Sequence, residues 1–127
     1  MCALPLQGIG SVLVGNYLKA RAMHSVAFVT CPNASVADSI AGGLVSEKLA
    51  ACVNIVPSVQ SVYTWEGKVT RDNEVLLIIK TRSSLADKLN AFVKAHHPYE
   101  CPEVISMKIE SGYPPYLNWI SESTVDS

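Results

Sequence analysis

Apolar residues recur along the chain with two different periods, and the switches between them mark out the elements. Ser25 to Thr30, SVAFVT, is a short apolar run rich in β-branched and aromatic residues, which predicts a buried strand. Pro32 and Asn33 break it. Ser35, followed three residues later by Asp38, has the spacing of a capping box and predicts a helix start. Val36, Ile40, Leu44 and Leu49 then trace one helical face to about Ala50. Gly42 and Gly43 sit inside that helix, where glycine costs about 1 kcal/mol relative to alanine. They predict the close approach of a neighbouring backbone.

From Cys52 to Trp65 the period drops to two. Val53, Ile55, Val59, Tyr63 and Trp65 fall on one face, and Asn54, Ser58, Gln60 and Thr64 largely on the other. Pro57 marks a bulge or an edge in this strand. Glu66-Gly67 is a two-residue turn, and Lys68 to Lys80 returns as a second strand ending in EVLLIIK, an unbroken apolar run that implies burial on both faces. Strands average about 5–6 residues, and both arms here are roughly twice that. A small single sheet does not cover so long a hairpin, so its far half is expected to project and meet another subunit.

Ser84 opens a second helix, with Leu85, Leu89, Phe92, Val93 and His96 on one face, and Pro98 ends it. Glu103 to Ile109 alternates again, and Pro114-Pro115 leads into a last helix over YLNWISES. The order strand, helix, hairpin, helix, strand predicts an α+β fold of the ferredoxin-like β-α-β-β-α-β type with an added C-terminal helix.

Composition adds three constraints. At 127 residues the chain has the length of one domain, and 49% apolar against 17% charged residues suits a surface partly buried against another subunit. A net charge of −1 gives no electrostatic footprint for nucleic acid. Cys2, Cys31, Cys52 and Cys101 are widely spaced without a C-x-x-C pair, which favours reduced thiols in an intracellular protein over a disulfide framework. Residues 1–24 form a separate segment with Lys19 and Arg21 but no acid, since the first acidic residue is Asp38. Apolar stretches such as Val12-Leu13-Val14 are far short of the ~20 residues a membrane helix needs, and the positive charge follows them, unlike a secretory signal. The segment is read as a processed, targeting or disordered extension, with Met23 as an alternative start and 25–127 as the domain. The expected location is intracellular, mainly cytoplasmic, with a mitochondrial or membrane-associated pool directed by residues 1–24.

The densest chemistry lies in KAHHPYECPE, Lys94 to Glu103. His97 and Cys101, with Glu100 and Glu103 nearby, are ligand types that suit copper or zinc. Pro98 breaks the helix between them, and Cys31 at the end of the first strand is the candidate for a further ligand. The competing assignments are a structural hydrogen bond for His97, a packed thiol for Cys101, and a partly buried helix-end position for His96. Cys52 is read as core. A cysteine nucleophile would require a base within about 2.6–3.2 Å and a group to orient it. No nucleophile motif or phosphate-cradling glycine loop accompanies these residues, and the chain is read as non-enzymatic.

Five blocks, SEKLAACVNIVP, SVYTWEGKV, EVLLIIKT, HHPYECPEV and YLNWI, resemble the CutA family of divalent-cation tolerance proteins, with the match running from about Val26 to Ser123. The resemblance implies a ferredoxin-like, PII-like homotrimer whose long hairpins pair between subunits. It also implies binding of divalent metals, copper most often, and a link to metal tolerance, with no obligatory cofactor. Some members of the family carry a cysteine at the position of Val29, two residues before Cys31. Animal relatives are associated with anchoring acetylcholinesterase at neuronal membranes, so an interaction scaffold for a membrane protein is the alternative function. A third is a PII-like sensor of small ligands, with Lys80, Tyr63, Trp65, Tyr99, Glu103 and Trp119 lining a cleft between subunits. In that reading Trp65 and Trp119 alternatively pack at the trimer interface, and Lys80 alternatively pairs with Glu103.

Overall fold

The computed structural model describes residues 23–125. Strand β1 (His24–Cys31) leads to helix α1 (Ala34–Ser46), then to the hairpin β2 (Cys52–Trp65) and β3 (Lys68–Arg82). A 3-10 turn (Ser83–Leu85) precedes α2 (Ala86–His96), which is followed by β4 (Val104–Lys108) and α3 (Pro114–Glu122). The four strands form one antiparallel sheet in the order β2-β3-β1-β4, the ferredoxin-like arrangement expected from the pattern. β1 begins at His24, which takes the last residue of the expected extension into the fold; residues 1–22 lie outside the described region, as do 126–127. No helix among the described residues is long and apolar enough to cross a membrane.

The core lies between one sheet face and the helices α1 and α2. Ala27, Val29 and Cys31 of β1 and Val75, Leu77 and Ile79 of β3 meet Ala37, Ile40, Ala41 and Leu44 of α1 and Leu89 and Val93 of α2. The opposite face of the sheet carries no helix among the described residues. Val26, Phe28, Leu76 and Ile78 are half-buried there, and Ile105 and Met107, paired with Phe28 and Val26, are each 55% exposed. α3 packs at the sheet's end in a smaller cluster of Ala51, Leu117 and Ile120 with Tyr116 and Trp119. Arg82 holds it there: Nε donates to Thr124 Oγ1 at 2.8 Å, and Nη2 donates to the Ser121 and Thr124 carbonyls at the helix end.

Three local expectations are revised. The N-cap of α1 is Asn33, whose Oδ1 accepts the Val36 N–H at 2.9 Å, because Ser35 already lies in the first helical turn. α1 stops at Ser46 rather than near Ala50: Lys48 adopts a left-handed φ of 59°, and the Leu49 and Ala50 amides fold back onto the Leu44 carbonyl. The neighbour of the glycine pair is a side chain. A Cβ on Gly43 would lie 2.4 Å from Phe92 Cζ, whereas nothing stands within 4 Å of one on Gly42. Gly42→Ala is therefore expected to raise stability by about 0.5–1 kcal/mol through helix propensity. Gly43→Ala is expected to lower it by about 1 kcal/mol or more, since displacing the Phe92 ring outweighs that gain. Urea unfolding of the two variants reads the opposite signs.

The hairpin turns through Glu66 (φ 51°) and Gly67 (φ 78°), the double left-handed geometry of a tight hairpin loop. Trp65 pairs with Lys68, which fixes Tyr63 opposite Thr70, Ser61 opposite Asp72 and Val59 opposite Glu74. A bulge between Val56 and Val59, with Ser58 at a φ of 62°, then shifts the register by one residue. The shift reverses side-chain parity. Val53 and Ile55 stay on the helix side, while Val59, Tyr63 and Trp65 move to the helix-free side, so these five residues do not share one face as simple alternation predicted.

Candidate functional site

The parity reversal at Pro57-Ser58 places Tyr63, Trp65, Asp72 and Glu74 on one surface of the hairpin. The loop between α2 and β4 closes over it. That loop is anchored by His97, the C-cap residue of α2, which is 7% exposed. The Tyr99 N–H donates to its Nδ1 at 3.1 Å, so Nε2 carries the ring hydrogen and donates to the Thr30 carbonyl at 2.8 Å. His97 therefore fastens the end of α2 to the end of β1, and the next turn presents Tyr99. The two rings pack at 4.7 Å.

Tyr99 Oη donates to Glu74 Oε2 at 3.2 Å, and Tyr63 Oη donates to Asp72 Oδ2. Both phenols are held protonated above the ordinary tyrosine range. For Tyr63 the main cause is the hydrogen bond to Asp72; for Tyr99 it is burial, then the Glu74 charge and hydrogen bond. Between hairpin and loop lies a cleft of about 610 Å³. Its walls carry the rings of Tyr63, Trp65 and Tyr99 and the carboxylates of Asp72, Glu74, Glu100 and Glu103, with Cys101 and Thr30 completing them. No lysine or arginine lines it among the described residues. Lys94 Nζ, near the end of α2, donates to the Glu100 carbonyl.

Of the residues expected from sequence, Tyr63, Trp65, Tyr99, Cys101 and Glu103 are thus brought together. Lys80 and Trp119 are not in the cleft. Lys80 Nζ donates to Asn54 Oδ1 rather than pairing with Glu103, and Trp119 packs against Tyr116 at 5.5 Å in the α3 cluster. His97 lies behind the cleft wall with both nitrogens engaged, so a metal ion there would have to displace the Tyr99 amide or the Thr30 carbonyl. Cys31 is fully enclosed in the core. His96 is exposed rather than partly buried: its ring stacks on Phe92 at 4.0 Å and its Nδ1 meets the Phe92 carbonyl at 2.8 Å. Cys52 is half-buried on β2, and Cys2 lies outside the described residues. Among the described residues, no three His, Cys, Asp or Glu side chains stand close enough to hold one metal ion.

Sequence reasoning missed Asp72 and Glu74, which sit in RDNEV with no motif that singles them out. The signal that finds them is the two-residue turn. Once Glu66-Gly67 sets Trp65 opposite Lys68, the pairing places Asp72 and Glu74 on the side of Tyr63.

Residues 25–123 match the family model of the CutA1 divalent ion tolerance proteins. The chain belongs to the CutA1 family. The CutA homolog of Xenopus laevis is 57% identical over 98 residues, which cover 77% of this chain and 65% of that relative. The divalent-cation tolerance protein CutA of Thermus thermophilus is 47% identical over 102 residues, 80% of this chain and 99% of that one. The crystal structure of CutA1 from Oryza sativa superposes with a TM-score of 0.81 at 54% identity, covering 83% of this chain and 96% of the crystallised rice chain. The ferredoxin-like CutA1 fold is therefore established for this chain. The chain spans under two thirds of the frog relative's length.

The cysteines of this CutA1 member separate by environment. Cys31 is pushed up to about 11 from 9.0, first by burial and then by the Glu74 charge, while Cys101 is exposed. Iodoacetamide at pH 8 is expected to modify Cys101 in the native protein and to reach Cys31 only after unfolding, as mass mapping would read. The raised value also sets a pH dependence. The unfolded chain releases the Cys31 proton first, so this contribution to stability is intact below about pH 9 and is lost as pH rises toward 11. The full loss is roughly 3 kcal/mol, and urea unfolding across that window is expected to flatten in Cys31→Ala.

Proposed function

We propose that the chain works as a non-catalytic homotrimer that binds divalent cations, with the cleft between hairpin and α2–β4 loop as the site. The observation that carries this reading is the cleft's lining of four carboxylates with no lysine or arginine. Cys101 and Glu103, two of the ligands expected from sequence, face it, and a thiolate beside a carboxylate suits copper or zinc. One chain supplies no complete ligand set among its described residues, so water or a neighbouring subunit completes the shell. The metal-tolerance names of its relatives agree with such a role.

The helix-free sheet face supports the trimer. Val26, Phe28, Leu76, Ile78, Ile105 and Met107 form an apolar surface that the described residues of one chain leave open to water. Large contiguous apolar patches of this kind mark association surfaces. Its occupant is a second copy of the same chain, because the hairpin beside it also extends past the sheet, with Val62 and Val69 51% and 74% exposed.

The test is a titration of fully reduced protein with zinc and copper, followed by native mass measurement, in wild type and in a Cys101→Ser, Glu103→Gln double variant. The expected result is saturation at a fixed ratio per subunit in wild type, at least tenfold weaker binding in the variant, and an unchanged trimer mass. Non-saturating uptake that is the same in both proteins would sink the reading.

A further inference from the structure

The cleft is larger and more aromatic than a metal ion requires. A divalent ion gathers oxygen ligands at about 2.0–2.6 Å and makes no use of ring faces. Here three rings share about 610 Å³ with four carboxylates, a volume within the ordinary range for organic ligands. A flat aromatic face attracts an ammonium group by its quadrupole, and attracts it more strongly where water is excluded.

Glu74 singles out the ligand class. It is 9% exposed, yet its one recorded partner is the neutral Tyr99 hydroxyl on Oε2. Among the described residues no lysine, arginine or histidine bonds it, and since no buried side-chain oxygen there lacks a partner, Oε1 keeps contact with water. A largely enclosed carboxylate with no cation bonded to it gains from a counter-charge. The acceptors also outnumber what one positive charge can satisfy. A quaternary ammonium has no N–H to give them, whereas each primary ammonium brings three donors.

We propose that this cleft binds a linear aliphatic di- or polyamine. Its ammonium groups pair with Glu74 and the neighbouring carboxylates, and its methylene chain lies against the rings of Tyr63, Trp65 and Tyr99. Tyr63 and Tyr99, holding Asp72 and Glu74 through their hydroxyls, fix the acceptors before the ligand arrives. This inference rests on the cation-binding reading of the same cleft and makes divalent metal and amine competitors for it.

Calorimetric titration of the full reduced chain with spermidine, in about 150 mM salt to screen surface charge, tests the proposal. 1,4-Butanediol serves as the uncharged control and magnesium as the control for charge alone. The expected result is saturable spermidine binding at least tenfold tighter than magnesium, with none for the diol. Glu74→Gln is expected to weaken it at least tenfold, and Trp65→Leu severalfold. Trp65 is 63% exposed at the hairpin tip, so that variant keeps the test valid if Glu74→Gln does not fold. Spermidine binding no tighter than magnesium, or binding unchanged in Trp65→Leu and in folded Glu74→Gln, overturns the proposal. Zinc titrated into the same samples separates the two readings: zinc saturation without spermidine binding defeats the amine alone, and failure of both defeats the cation-binding cleft as well.

Discussion

His97→Ala is expected to lower stability by roughly 2–4 kcal/mol and to loosen the loop that carries Tyr99. The imidazole is 7% exposed and spans from the Tyr99 N–H to the Thr30 carbonyl, so removing it breaks two hydrogen bonds. It also leaves a donor and an acceptor in a place where water enters poorly, each costing about 1–3 kcal/mol when unsatisfied. Partial relaxation of the loop brings the sum below the full total. Denaturant unfolding measures the loss, and hydrogen exchange at Tyr99 shows whether it is local. His96→Ala is the control: the exposed ring stacks on Phe92, and its removal is expected to cost under about 1 kcal/mol. Equal losses at the two histidines would contradict the anchoring role of His97.

Ile78→Asp is expected to convert the proposed trimer to a folded monomer. Ile78 lies on the helix-free sheet face beside Leu76 and Phe28, half-buried in a single chain. In the monomer a carboxylate there reaches water and the helix-side core is untouched. In the trimer it would be enclosed without a partner, a penalty of several kcal/mol at each of the equivalent positions. Sedimentation is expected to show the mass falling to one third with near-native circular dichroism. Val45→Asp on α1, already 43% exposed, should leave the assembly intact. A trimer that survives Ile78→Asp would place the subunit contact elsewhere.

Both expectations trace back to how much of this molecule could be read along the chain. The order of elements and the sheet topology follow from periodicity, because β1, the helices and the hairpin arms each keep one period over their length. Parity inside the hairpin was harder. Pro57 announced an irregularity, but only the observed register shift between Val56 and Val59 shows which residues change face. That one shift carries Tyr63 and Trp65 to the cleft side. The cleft was partly legible: its aromatic residues and Cys101–Glu103 stand out by type, whereas Asp72 and Glu74 look like ordinary surface acids. The burial of His96 was misread. Continuing the apolar stripe of α2 put His96 inside, but the helix ends at that residue, and the extended backbone of His97 turns the next ring inward instead.

The central claim, a cation site in the cleft between hairpin and loop, is tested most directly by crystals of the reduced protein grown with zinc and measured at the zinc absorption edge. The account predicts an anomalous peak in the cleft, within bonding distance of Cys101 Sγ or a Glu103 carboxylate oxygen. Peaks confined to exposed His96, with the cleft empty of metal, would contradict it.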